Sequence, residues 1–460
     1  ALVLGAVRFA GLGRWSLWLD EVYTLADARH GTGFSNPVGY WLVGAFFDAV
    51  GGRPDEFLMR LPAAVFGWLC IPVTAFGLRA FVGRRAAALA ALVLALSPWH
   101  LYWSQNARFY TLACLLALCV PWLLVGAMRG APGAVARVVA AVAVGALATL
   151  THPSALMFLG PLVGWTVLGA RLWRPAFGAT DGPARARARR ARRALLAFLI
   201  VGVVLGAGWV ARVWSTWSTR RSVGDPLHLV LSLGYLATPG LGLLLALALL
   251  DSLRRRSVAV LSLFVVVGSG LALALGASFF VRVSAQYVFV FLPFLAALAA
   301  APFGERAGPG RALRRVLLAA VLLLPLGAES ALYLTQRHGD RPRWRAAYRY
   351  VFDQRASTDL VLGMEAPVAE YYFNPLSDDL RQLTSLVYLN EFNAEVPVAW
   401  ARYGRRMWFV VNRDQLLDWP SRPRKVFTEF LESACRKQTT YAVRWTPRDL
   451  DVEVWRYPAN

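Results

Sequence analysis

Two adjacent carboxylates, Asp20 and Glu21, stand in the segment SLWLDEVY (16–23), directly after an aromatic-rich apolar stretch. The chain has 27 acidic residues against 49 basic ones, so paired acids at this point call for a reason. A carboxylate that reaches within about 2.6–3.2 Å of a hydroxyl can act as its general base. Acids also favour the first turn of a helix, so a capping role stays open. A divalent cation on the pair also stays open, although no histidine or third carboxylate lies at ligand spacing.

Further polar side chains lie in short segments between long apolar blocks. They are Arg60, Arg108, Tyr110, His152, Arg221, Arg282 and Tyr287. A transporter more often places its ionisable groups in the middle of its spans. Here they lie near the ends of the apolar blocks, which indicates a site at the membrane surface. Plainer interpretations stay open: snorkelling for Arg60 and Arg108, a turn for His152, and an aromatic belt for Tyr110.

The elements that must position these residues are membrane spans. The chain is 57% hydrophobic and only 17% charged, whereas about 25% is usual in a soluble domain. Its apolar blocks approach the roughly 20 residues that cross a bilayer, and helices satisfy their own backbone groups in lipid. The first block contains Arg8 and no starting Met precedes it, so we interpret it as a truncated helix. Eleven spans are predicted, near 1–13, 60–81, 86–103, 108–128, 137–151, 153–171, 194–213, 228–250, 257–280, 284–303 and 314–334.

The arginines determine the predicted orientation. They are concentrated in alternate loops, most densely in RARARRARR at Arg185–Arg193, and an excess of positive charge marks cytoplasmic loops. The loop that carries Asp20 and Glu21 and the tail after about Gln336 are therefore predicted outside. A net charge of +22 that is distributed in this way argues against nucleic acid as a partner and for contact with lipid.

The fold class predicted is a mostly α, polytopic membrane domain over 1–335, with a first outer loop at about 14–60, followed by a small extracytoplasmic α/β domain over 336–460. Within that tail we predict helices at Trp344–Arg355 and Val426–Ala434 and strands at Tyr441–Trp445 and Val452–Trp455. Short helices are predicted at Asp20–His30 and Tyr40–Val50. None of the four cysteines has metal-ligand spacing.

These segments resemble a family. SLWLDEVYT (16–24) is similar to the signature after the first span of polyprenol-dependent glycosyltransferases of the GT-C fold, in the branch of the protein O-mannosyltransferases and lipid A aminoarabinose transferases. The similarity continues through Phe34–Trp41, Leu58–Ala64, Ser97–Leu112, Thr151–Leu156, Gln286–Pro293 and Asp340–Tyr350. There are three departures: Asn36 where His is common, Val38 where a second Pro is common, and Gln286 where an Arg often precedes the Tyr.

The resemblance implies a hexosyl or pentosyl transferase in the cell (inner) membrane. A sugar would move from a polyprenyl phosphate to a hydroxyl of a glycan, lipid or protein outside the cytoplasm. Asp20 is then the expected general base and Glu21 the partner that orients the acceptor or the loop. The leaving phosphate needs cationic donors, which suits arginine forks. Arg108 and Arg60 are the leading candidates, ahead of Arg282 and Arg221, with Tyr110, His152 and Tyr287 as further substrate contacts.

Direct displacement by the acceptor inverts the anomeric centre, and one carboxylate base suffices for it. No cofactor is expected to be required. A transporter or flippase for a lipid-linked sugar is the alternative function. A non-catalytic assembly protein is a third, against which the paired acids in a long outer loop argue.

Overall fold

The computed structural model describes residues 1–30, 36–168, 182–219, 224–236, 238–304, 309–374, 385–446 and 448–458. The chain forms two compact units. The first, here called the helical unit, comprises Ala1–Ala10, Gly33–Leu42 and Leu61–Ser330. The second, here called the mixed unit, comprises Gly11–Thr32, Val43–Arg60 and Ala331–Asn460.

Seven helices among the described residues are long and apolar enough to cross a bilayer, and the number rises to nine if each of two bent pairs is one span. The seven are Glu56–Val82, Tyr110–Met128, Ala134–Thr151, Gly182–Thr216, Val258–Ser278, Ala285–Phe303 and Ala312–Thr335. The bent pairs are Arg84–Leu96 with Pro98–Ser104, and Pro226–Gly234 with Pro239–Arg254. This is a multi-span membrane protein, as predicted.

Two of the eleven predicted spans do not correspond to one of these helices or bent pairs among the described residues. Residues 1–13 contain only the helical turns Leu2–Gly5 and Ala6–Phe9, and the span predicted at 153–171 is described as the 14-residue helix Ala155–Leu168. Residues 169–171 lie outside the described part of the chain. The remaining nine predicted spans each correspond to one of the seven long helices or to one bent pair.

A proline stands at the start of the second helix in both bent pairs. Pro98 and Pro239 stand in the first turn of the second helix of their pairs, which are bent by 62° and 98°. Proline has no N–H to donate and clashes with the preceding turn, so it begins a helix more readily than it continues one. At the first break the Ser97 hydroxyl accepts a hydrogen bond from the His100 amide and caps the new helix.

Several shorter segments complete the helices outside the C-terminal region. Leu19–His30 and Pro37–Val50 confirm the two short helices predicted between the first two apolar blocks. Three short segments also lie within the apolar blocks. Arg79–Val82 is a single helical turn, and Ala285–Phe291 and Ala301–Phe303 are 3₁₀ helices that flank the helix Leu292–Ala300.

A five-stranded sheet is the centre of the C-terminal region. Its strands are β1 (Leu360–Gly363), β2 (Leu386–Tyr388), β3 (Met407–Asn412), β4 (Arg436–Tyr441) and β5 (Val452–Tyr457), in the order β2-β1-β3-β5-β4. Strands β2, β1 and β3 are parallel, whereas β5 is antiparallel to both β3 and β4. Every residue of β3 is buried, which fits its continuous apolar sequence MWFVV.

Helices precede or separate most of these strands along the chain and confirm the predicted α/β character of the region. They are His338–Asp340, Trp344–Gln354, Ala366–Phe373, Val396–Ala401, Arg413–Leu417 and Ser421–Ala434. The strand predicted at Tyr441–Trp445 is wrong, because the observed strand β4 ends at Tyr441. Its sequence RKQTTY lacks an apolar alternation, and as an edge strand it needs none.

Candidate active site

Glu21 and Arg60 form a fully buried, two-pronged ion pair in the mixed unit. Arg60 Nε donates to Glu21 Oε1 at 2.7 Å and Nη2 donates to Oε2 at 2.8 Å, and both side chains have 0% exposure. The other N–H groups of Arg60 donate to the carbonyls of Leu12, Trp15 and Ser16 at 2.8–3.1 Å. All five guanidinium donors are therefore engaged within the protein.

A second arginine approaches the same carboxylate. Arg341 Nε lies 3.7 Å from Glu21 Oε2, and the Arg341 side chain is also buried. Arg341 Nη1 donates to the Gly339 carbonyl at 2.8 Å and to the Tyr333 hydroxyl at 3.2 Å. One buried carboxylate is thus held between two cations, an arrangement that immobilises it.

Glu21 also caps the helix that it begins. Its Oε2 accepts a hydrogen bond from the backbone N–H of Trp18 at 3.2 Å, as the glutamate of a capping box does. The plainer interpretation of the paired acids, helix capping, therefore applies to Glu21. It does not account for Asp20, one position earlier and about 100° around the helix from Glu21.

Asp20 occupies the first turn of Leu19–His30 and is half-buried, unlike its fully buried neighbour. The Thr24 hydroxyl donates to the Asp20 carbonyl at 2.8 Å, which ties the first two turns together. The positive end of the helix dipole lies at this turn and stabilises a carboxylate there. Asp20 is thus a partly accessible carboxylate on a backbone that its neighbour holds in place.

A second, partly buried network fixes the segment that leads to Asp20. The Leu17 amide donates to the Tyr372 hydroxyl at 2.9 Å, and that hydroxyl donates to Glu56 Oε1 at 2.9 Å. Arg345 pairs with the same Glu56 oxygen at 2.5 Å, and the Arg345 amide donates to Ser16 Oγ at 3.2 Å. Side chains of the C-terminal region therefore hold the backbone on the N-terminal side of the acids.

Four further predicted residues lie together in the helical unit. The His152 ring lies 4.7 Å from that of Tyr110 and is stacked on that of Tyr287 at 5.7 Å. Arg108 is half-buried, and its guanidinium lies 5.2 Å above the Phe109 ring. Burial lowers the pKa of His152 to about 3, and the nearby charge of Arg108 adds to this shift. His152 is therefore a neutral imidazole at physiological pH.

The departure at Asn36 also has a local explanation. The Asn36 side-chain amide donates to the Thr151 carbonyl at 3.0 Å and so connects the start of Pro37–Val50 to the His152 turn. Within that turn, Ser154 Oγ lies 2.7 Å from His152 Nδ1.

The remaining predicted cations are placed differently. Arg282 is exposed, and its Nη2 lies 3.4 Å from His228 Nδ1. Arg221 lies outside the residues that the structure describes. Within the described residues, no group of three or more His, Cys, Asp or Glu side chains is arranged to hold a metal ion.

Sequence reasoning did not single out Arg341 or Tyr333 as site residues. Arg341 lies in the segment Asp340–Tyr350, which carried part of the family resemblance, so a residue-by-residue comparison of that segment could have found it.

The comparisons with known proteins concern the fold. No protein-family model and no curated protein sequence matches the chain. ArnT from Cupriavidus metallidurans, solved bound to undecaprenyl phosphate, is 16% identical, with a TM-score of 0.52 over 99% of this chain and 96% of that one. The apo oligosaccharyltransferase of Archaeoglobus fulgidus is 10% identical, with a TM-score of 0.56 over 96% of this chain and 73% of that one.

A third solved structure is the Archaeoglobus fulgidus oligosaccharyltransferase AglB in complex with an inhibitory peptide and a dolichol-phosphate. It is 11% identical, with a TM-score of 0.51 over 89% of this chain and 69% of that one. The chain therefore has the GT-C fold, the fold of these membrane glycosyltransferases. The resemblance carried by SLWLDEVYT and its companion segments is confirmed at the level of the fold.

Proposed function

We propose that this protein is an integral membrane glycosyltransferase that moves a sugar from a polyprenyl phosphate to an acceptor hydroxyl on the extracytoplasmic face. The observation that carries the proposal is the contrast between the two adjacent acids. Glu21 is buried and held by Arg60 and Arg341, whereas Asp20 is half-buried at the first turn of the same helix. Glu21 is fully enclosed by its partners, whereas the Asp20 side chain is partly exposed.

Asp20 is the general base in this proposal. Its carboxylate accepts the proton of the acceptor hydroxyl while the hydroxyl oxygen forms a bond to the anomeric carbon. The bond from that carbon to the phosphate oxygen breaks, and its electron pair leaves with the polyprenyl phosphate. Attack opposite the leaving group inverts the anomeric centre, and one carboxylate base suffices. A fixed backbone supports this role, since a well-positioned base contributes roughly 10²–10⁴-fold.

Glu21 and Arg60 receive a supporting role. Because the five donors of Arg60 are engaged, the arrangement does not favour its predicted contact with the donor phosphate. Arg60 instead holds Glu21 and the carbonyls of the preceding segment. These contacts fix the position of the first helical turn, which carries Asp20. A catalytic carboxylate requires such a fixed support.

Arg108 is the proposed phosphate ligand. It is half-buried beside the Phe109 ring, and a guanidinium fork suits the two-pronged binding of phosphate oxygens. His152 is neutral and Tyr110 and Tyr287 flank it, so this cluster offers hydrogen-bonding groups and ring faces for a sugar or a prenyl phosphate. The acceptor is a hydroxyl of a glycan, a lipid or a protein.

We expect transfer without an added cofactor, and this is directly measurable. The purified protein is treated with EDTA, and transfer is compared before and after magnesium or manganese is restored. Loss on chelation and recovery on addition would establish a divalent cation as part of the site.

Replacing Asp20 by Asn tests the central role. The side chain keeps its size and Asn caps helices as well as Asp, so fold and donor binding should be retained. Transfer from a labelled polyprenyl-phosphate sugar should fall by roughly 10²–10⁴-fold. Asp27→Asn, two turns later on the same helix, is the matched control and should transfer at the native rate. Near-native transfer by Asp20→Asn would mean that the acids serve structure alone.

The flippase alternative is tested with the same material. Liposomes that contain the native protein and a labelled lipid-linked sugar are assayed for movement of the lipid between leaflets, without acceptor. Movement without any transfer when acceptor is supplied would replace the glycosyltransferase proposal by the transport function.

A further inference from the structure

The turn at His152 connects the helices Ala134–Thr151 and Ala155–Leu168 of the helical unit, and its backbone is held on both sides. The His152 amide donates to the Ala148 carbonyl at 2.9 Å, and the His152 carbonyl accepts from the Ala155 amide at 3.0 Å. The side chain is only 4% exposed. The partners of its two ring nitrogens therefore decide which hydrogen bonds this imidazole can make.

Ser154 determines which nitrogen carries the proton. Its backbone N–H donates to His152 Nδ1 at 3.2 Å, and its Oγ lies 2.7 Å from the same nitrogen. A backbone amide is always a donor, so Nδ1 offers its lone pair and carries no proton. The Ser154 hydroxyl then donates to Nδ1 as well. The proton of the neutral ring is on Nε2, which has no hydrogen-bond partner among the described residues.

One aromatic ring connects His152 with Arg108. The Arg108 guanidinium lies 5.2 Å above the Phe109 ring, and the His152 ring lies 6.4 Å from that same ring. Tyr110 and Tyr287 lie 4.7 Å and 5.7 Å from the imidazole, which is therefore packed on more than one side. A guanidinium and an imidazole N–H that share a neighbour in this way can bind oxygens of one phosphate group.

The leaving group of the proposed reaction needs such donors. Its phosphate oxygen gains negative charge as the bond to the anomeric carbon breaks, and preorganised donors stabilise that charge strongly in a buried site. A neutral imidazole with a fixed N–H is a donor of this kind. It contributes a hydrogen bond and keeps its proton.

We propose that His152 donates a hydrogen bond from Nε2 to a phosphate oxygen of the lipid-linked donor, and that Ser154 is a positioning residue that holds the ring in this tautomer. The inference rests on the proposed function. His152 is then a ligand of the leaving phosphate and not a general acid. In the proposed reaction Asp20 alone exchanges a proton.

The first test measures the Kd for undecaprenyl phosphate, at about pH 8, of the full chain in phosphatidylcholine nanodiscs. His152→Phe keeps an aromatic ring and removes the N–H, so the Kd should rise by roughly 10–100-fold, the range for a hydrogen bond to a charged group. His152→Gln keeps an N–H donor and should recover part of the affinity. Thr149→Val is the matched control. It removes a hydroxyl that donates to the Gly145 carbonyl of its own helix at 2.9 Å, and it should bind the lipid with the native Kd.

The second test observes the tautomer directly. In protein that contains histidine labelled at its ring nitrogens, the His152 signals are those missing from His152→Gln. They should show an unprotonated Nδ1 and a protonated Nε2 down to about pH 5.5, and undecaprenyl phosphate should shift the Nε2–H signal. Ser154→Ala keeps the backbone N–H and loses the hydroxyl, so the Kd should rise by roughly 2–5-fold, and Ser154→Thr should restore it.

Three results would overturn the inference. They are a native Kd in His152→Phe, a proton on Nδ1 of the native protein, and an Nε2–H signal that the lipid leaves unchanged. The last two concern the native protein, so they decide the question even if His152→Phe fails to fold.

The two proposals also fail in different ways. If the native protein does not bind undecaprenyl phosphate, both fail. If it binds the lipid and Asp20→Asn is inactive, while His152→Phe binds with the native Kd, only the inference on His152 and Ser154 fails.

Discussion

Replacing Arg60 by Lys is the perturbation whose cost the structure defines best. Arg60 makes five hydrogen bonds, two to Glu21 and three to backbone carbonyls, in a fully buried setting. A lysine ammonium has three donors on one atom, so at least two of these five bonds are lost. Each buried acceptor left unpaired costs about 1–3 kcal/mol, which gives roughly 2–6 kcal/mol in total.

Such a loss is large against a typical folding free energy of about 5–15 kcal/mol. Thermal unfolding of the purified protein in detergent, followed by tryptophan fluorescence, should show the melting temperature lowered by roughly 2–6 °C, since the unfolding entropy of 460 residues is about 1 kcal/mol/K. Arg448→Lys is the matched control. Arg448 pairs with Asp414 at the same 2.7 Å but is 64% exposed, so its replacement should cost less than about 1 kcal/mol.

The result also decides between two roles for Arg60. An unchanged melting temperature together with a raised KM for the donor would refute the buried-clamp reasoning and restore Arg60 as the phosphate ligand. A lowered melting temperature in Arg60→Lys but not in Arg448→Lys supports the clamp. Equal, small shifts in both variants would show that the buried network contributes no more than a surface pair.

Three further expectations complete the set. Arg108→Ala should raise the KM for the lipid donor, and Arg108→Lys should restore only part of the affinity because a point charge lacks the fork; native kinetics in the Ala variant would remove Arg108 from the site. Burial raises the pKa of Glu365 in the folded state from 4.5 to about 7. Between these pH values the folded protein therefore binds more protons than the unfolded chain. The free energy of unfolding should fall as the pH rises through this window, by up to about 3 kcal/mol. Unfolding midpoints against pH check this, and Glu365→Gln should flatten that part of the curve. A reporter fused after Asn460 should be active only outside the cytoplasm, and a reporter inserted within Ala184–Arg193 only inside. Activity assays in whole cells measure both. Two reporters that are active on the same side would contradict the orientation predicted from the arginines.

Much of the architecture follows from local sequence properties. Apolar blocks bounded by arginine-rich loops predict nine of the observed spans or bent pairs, because length and hydropathy are local quantities. In the tail, the helices Trp344–Gln354 and Ser421–Ala434 and the strand β5 correspond to predicted elements. The edge strand Arg436–Tyr441 is missed because its solvent-facing residues need no apolar pattern, and β5 supplies its pairing.

For the candidate site, too, some features follow from the sequence and others only from the tertiary structure. The sequence alone singled out Asp20 and Glu21 as unusual acids and placed Arg60 and Arg108 among the cations to examine. Only the tertiary structure distinguished the acids, burying Glu21 between Arg60 and Arg341 and leaving Asp20 half-buried. Arg341 reaches this site from more than 300 positions away along the chain. No local pattern encodes such contacts, because burial, and with it the pKa of a carboxyl group, depends on which distant segments pack around it.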